Sequence, residues 1–67
     1  MRIPRSKIRR AREHAAMTHD ARLIVSNDLG CLFDMPDDRA LARRKGLAIL
    51  AVVHWDGAVD REKGGKE

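Results

Sequence analysis

The apolar run from Leu47 to Trp55, Leu-Ala-Ile-Leu-Ala-Val-Val-His-Trp, limits what this chain can become. It is far short of the roughly 20 apolar residues that a membrane-spanning helix needs. Gly46 stops any helix arriving from the N-terminal side, and the Val52-Val53 pair favours an extended backbone, so the run reads as a strand buried on both faces. A second strand is predicted at Arg22-Leu23-Ile24-Val25-Ser26, ended by the turn formers Asn27, Asp28 and Gly30. With a helix between them, two such strands form a parallel pair joined by a right-handed crossover. The expected fold is therefore α/β, a small helix-strand-helix-strand unit with a two-stranded parallel sheet. Such a sheet leaves a face uncovered, so the unit is expected to be incomplete on its own.

Size and composition point the same way. A chain of 67 residues forms one small core, and with only Phe33 and Trp55 as aromatic rings it has few large fillers. Its single cysteine, Cys31, excludes an internal disulfide framework and any zinc ribbon. The organisation predicted is a basic arm and helix over residues 1–20, the strand-helix-strand unit over 21–56 and a charged, partly disordered tail over 57–67. In the first segment Ser6 is placed to cap a helix running to about His19, with Arg9 and Glu13 spaced to pair on its surface. Ile8, Ala11, Ala15 and Ala16 make a thin apolar stripe, which suits packing against another element better than nucleating a fold. Asp34 reads as the N-cap of the second helix, with Pro36 in its first turn and Asp37 at its third position. Arg43, Arg44 and Lys45 suit that helix's C-terminal end, and Gly46 closes it. In the tail, a short helix is expected from Ala58 to Lys63.

The net charge of +4 is concentrated at one end, since Arg2, Arg5, Lys7, Arg9, Arg10 and Arg12 all precede the first acid, Glu13. Such a block attracts phosphate or an acidic protein surface, and it equally describes a solvated helix face, because no aromatic residue is near it in the chain. No apolar segment follows the charged start as a secretory signal requires, so the expected address is cytoplasmic.

Loops at the C-terminal ends of parallel strands are where ligands usually sit, which singles out Asn27 to Phe33 and His54 to Gly57. Cys31, next to Gly30, offers either a reactive thiolate or a small buried apolar group. His54 offers a ligand, an acid-base group or a polar cap. The stretch Ala21-Arg22-Leu23-Ile24-Val25-Ser26-Asn27-Asp28-Leu29-Gly30-Cys31-Leu32, followed by an Arg-rich helix to Gly46 and a strand ending Val52-Val53-His54, resembles the final part of the cysteine-rich CCG domain. That domain occurs in iron–sulfur subunits of lactate and glycolate oxidation systems and in heterodisulfide reductase B-type subunits. The resemblance spans about 40 residues and rests on Ser26 to Leu32. It implies that Cys31, with Gly30 beside it, serves an iron–sulfur cluster in electron transfer from a small 2-hydroxy acid. The Cys-Cys-Gly motif itself has no match here, and a cluster normally takes four cysteines. The resemblance thus implies a truncated, fragment-like component, inactive alone, that draws ligands from a larger redox subunit or a second copy.

A weaker resemblance links Leu23 to Asp28 with the strand of PIN-like nucleases that carries an acid to a metal site. It makes Asp28 the acid, with Asp34, Asp37 or Asp38 as neighbours for magnesium. The early acidic strand of those nucleases is missing. The remaining reading is a small basic protein that contacts nucleic acid or an acidic partner through Arg5, Lys7, Arg9, Arg10 and Arg12. His14 and His19 are too far apart round a helix to share a metal, and there is no P-loop, dinucleotide fingerprint or nucleophile elbow.

Overall fold

The computed structural model describes residues 3–61. Its elements are α1 (Arg5–Thr18), β1 (Arg22–Ser26), β2 (Leu32–Pro36), α2 (Arg39–Arg44), β3 (Ala48–Val53) and β4 (Val59–Arg61). The strands form one four-stranded sheet in the order β2-β1-β3-β4, and every neighbouring pair is antiparallel. The expected two-stranded parallel sheet is therefore overturned. β1 and β3 do lie side by side, but in opposite directions, with Arg22 opposite Val53 and Ser26 opposite Ala48.

The reason is a strand that the residue pattern hides. Asn27 does more than end β1: its Oδ1 accepts from the backbone N–H groups of Leu29 and Cys31, and Gly30 takes a positive φ of 82°. This folds the chain straight back into β2, with Val25 opposite Phe33 and Ile24 opposite Asp34. β2 and β3 both run antiparallel to β1, so the connection through α2 joins two strands pointing the same way with β1 between them. The strand-helix-strand crossover exists, but it starts from β2 and passes over β1.

Asp34, expected as a helix cap, is consequently a strand residue, and Pro36 ends an edge strand, where its missing N–H costs no ladder bond. The N-cap of α2 is Asp38, whose Oδ1 accepts from Leu41 N at 2.9 Å. Gly46, with φ 71°, closes the helix as expected. α1 begins at Pro4 without a side-chain cap, so Ser6 lies inside the helix, and no ion pair joins Arg9 to Glu13 among the described residues. The tail forms β4 where a helix was expected; the last residues of that expected helix, 62–63, lie outside the described residues.

The two helices cover opposite faces of the sheet. On one face Ile3 and Ala11 pack with Ile24, Ala51 and Val53. On the other, Ala42 of α2 packs with Leu23, Val25, Met35 and Val52. Leu23, Ile24 and Val25 are all fully buried because β1 is central and has a helix above and another below. The alanines of α1 make sense in this arrangement. Ala11 and Ala15 are fully buried and short enough to let the helix lie close on the strands.

Candidate nucleic-acid interface

The buried stripe of α1, with Ile8, Ala11 and Ala15 against the sheet, divides its basic residues into two flanks. Lys7, Arg10 and His14 follow the i, i+3, i+7 spacing and face β2. Arg5, Arg9 and Arg12 follow i, i+4, i+7 and line a groove on the other side together with Ile8. Arg12 reaches across this groove, donating from Nε to the carbonyl of Gly57 at 3.1 Å and tying the β3–β4 turn to the helix. Arg5, Lys7, Arg9 and Arg10 make no ion pair with any described residue.

The same turn carries Trp55, which is 59% exposed. Its ring lies 6.1 Å from that of His19, the residue that ends α1 in a left-handed conformation with φ 57°. An exposed aromatic ring thus stands at the C-terminal end of the basic helix. Along the chain Trp55 is remote from the cations, so only the pairing of β3 beside β1 brings it there.

On the β2 flank, His14 Nδ1 lies 2.8 Å from Asp34 Oδ2, and Arg22 donates to Asp34 Oδ1 at 2.8 Å. Burial raises the pKa of Asp34, but the hydrogen bonds and charges of Arg22 and His14 together outweigh it and hold the carboxyl below its ordinary value of 3.8. The carboxylate is therefore ionised at neutral pH and only accepts. This assigns the Nδ1 proton to His14 and leaves Nε2 without a partner among the described residues. Lys7, Arg10, His14, Ile24, Phe33 and Asp34 line an open pocket of about 250 Å³ here.

The other candidate residues do not converge. Cys31 is exposed in the β1–β2 turn. The loop carrying it follows β1 and the loop carrying His54 follows β3, and antiparallel pairing puts these loops at opposite ends of the sheet. His54 instead bonds Asp60 through Nε2 at 2.8 Å. Among the described residues no group of three His, Cys, Asp or Glu side chains could hold a metal ion. Asp34 is engaged by Arg22 and His14, Asp38 caps α2, and Asp28 sits in the β1–β2 turn. With one thiol at Gly30-Cys31, the donor set does not fit an iron–sulfur cluster held by this chain alone. No helix among the described residues is long and apolar enough to cross a membrane.

Comparison with known proteins gives no match to a family model, to a curated protein or to a solved structure.

Proposed function

We propose that the protein binds single-stranded nucleic acid, with α1 seating the phosphate backbone and Trp55 stacking on an unpaired base. The observation that carries this reading is the juxtaposition of an exposed tryptophan with a helix on which Arg5, Lys7, Arg9 and Arg10 make no ion pair with any described residue. A positively charged track with an aromatic platform is the combination that sequence-tolerant single-strand binding uses, because phosphates and base faces occur in every sequence. The tryptophan favours nucleic acid over an acidic protein surface, which needs no stacking platform. The expected setting is the cytoplasm. An iron–sulfur role at Cys31, as a component of a larger redox assembly, would take its remaining ligands from a partner or a second copy, and the cation track lends it no support.

Anisotropy titrations of a labelled single-stranded oligonucleotide between about 50 and 200 mM salt test the reading. If Arg5, Lys7, Arg9, Arg10 and Arg12 all neutralise phosphates, log K should fall against log salt with a slope of about −3.5 for a single strand. Each Arg→Gln change on α1 should flatten that slope by about 0.7. A salt-independent affinity, or tighter binding to polyglutamate than to the oligonucleotide, refutes it.

A further inference from the structure

We propose that the pocket between α1 and β2 is a phosphate-binding subsite, in which Lys7 and Arg10 hold the phosphate oxygens and His14 forms the wall beside them. The inference deepens the nucleic-acid reading and rests on it for the origin of the phosphate, but not for the chemistry of the pocket. At about 250 Å³ the pocket is several times the roughly 30 Å³ that one water occupies in the liquid, so a phosphate group fits with bridging waters.

Its charge is arranged for an anion. Asp34 is the one acid among the lining residues, and both its oxygens are already engaged, one by His14 and the other by Arg22. Arg22 offsets its charge, so Lys7 and Arg10 contribute two positive charges that make no ion pair with a described residue, the acid Glu13 lining the neighbouring groove with them rather than the pocket. The Asp34–His14 bond also restricts the imidazole, keeping its Nδ1 edge toward the carboxylate and leaving Nε2, an acceptor in the neutral ring, to take a hydrogen bond from a phosphate hydroxyl or a bridging water. The Arg5, Arg9 and Arg12 flank has no such oriented ring, and its Arg12 is spent in part on Gly57. The two flanks should therefore differ: one a row of cations alone, the other a pocket with an oriented imidazole in its wall.

The probe is inorganic phosphate, followed by amide and arginine side-chain resonances in NMR titrations of the full chain. Phosphate should shift Lys7, Arg10, His14 and Asp34 selectively, and the double variant Lys7→Gln/Arg10→Gln should weaken it about tenfold. Arg5→Gln/Arg9→Gln should change it by less than about twofold, as expected for screened surface charges. Equal losses in the two variants, or shifts spread evenly along α1, overturn the subsite. Oligonucleotides with a 5′-phosphate and a 5′-hydroxyl then separate the sources. A preference for the first, abolished in Lys7→Gln/Arg10→Gln, assigns a terminal phosphate; equal affinities, both lowered by that variant, assign a backbone phosphate. Oligonucleotide binding that the variant leaves intact removes the subsite and keeps the nucleic-acid reading. Selective phosphate shifts without any oligonucleotide binding do the reverse.

Discussion

Replacing Asp34 with alanine removes the acceptor of two side chains at once, and the structure sets the size of the loss. The Arg22 bond is the larger part. Arg22 and Asp34 side chains are only 17% and 12% exposed, the bond is 2.8 Å long, and Arg22 Nε is already buried without a hydrogen-bond partner. A charge-assisted hydrogen bond in such surroundings is worth about 1.5–3 kcal/mol, and its removal strands a poorly hydrated guanidinium. The His14 bond adds less, since His14 is 40% exposed and water replaces part of it; about 0.5 kcal/mol is reasonable for a screened pair. The sum is about 2–3.5 kcal/mol, a large fraction of the stability of a small domain. In thermal unfolding followed by far-ultraviolet circular dichroism, each kcal/mol shifts the Tm of a domain this small by about 4–8 °C, so Asp34→Ala should lower it by about 8–28 °C. Arg22→Met/Asp34→Ala should recover part of the loss, because no charge is left stranded. A loss below about 0.5 kcal/mol, the range of ordinary surface changes, or a double variant no better than the single one, refutes the reasoning.

Other consequences can be measured independently. Asp34 is depressed in the folded state, so its contribution to stability is complete above the ordinary value of 3.8 and is lost as pH falls below that value through the folded pKa; urea midpoints of wild type and Asp34→Asn should converge in that acidic range. Trp55→Ala should weaken single-strand binding by about 1–3 kcal/mol while leaving Tm nearly unchanged, the stacking loss being visible in titrations at fixed salt. Ala11→Leu should destabilise by about 1–3 kcal/mol through overpacking of the α1–sheet contact, and an unchanged urea midpoint would show that the helix does not lie close on the strands. If Cys31 serves a cluster with ligands from a partner, anaerobic co-purification should give iron–sulfur absorption that Cys31→Ser removes; colour that persists in the variant excludes Cys31 as a ligand.

Local signals located several elements correctly because their causes are local. The apolar β-branched run at Arg22 to Ser26 is β1 to the residue, and the run at Leu47 to Trp55 contains β3. Gly46 ends α2 because the left-handed backbone there is a property of one residue and its neighbours. β2 was illegible for the complementary reason. Leu32-Phe33-Asp34-Met35-Pro36 has neither clean alternation nor β propensity at Asp34 and Pro36, and it is a strand because the turn at Asn27 to Cys31 lays it against β1. That pairing places Asp34 in the strand opposite Ile24 and overrides its local helix-cap pattern. At the candidate site, Arg5, Lys7, Arg9, Arg10 and Arg12 were visible as a charge block, whereas the carboxylate that orients His14 and the tryptophan beside α1 were not.

By itself the sequence determined the cation-rich first helix, the two apolar runs that become the central strands and the glycine that separates the second from α2, all consequences of side-chain and backbone preferences over a few residues. Tertiary structure alone decided the direction of those strands, since an apolar run buried on both faces serves a parallel or an antiparallel neighbour equally well. The hairpin to β2 made them antiparallel, and that choice set the rest. It put α1 and α2 on opposite faces, buried Leu23 to Ser26 of β1, sent Cys31 and His54 to opposite ends of the sheet, and carried Asp34 to one flank of the basic helix and Trp55 to its C-terminal end.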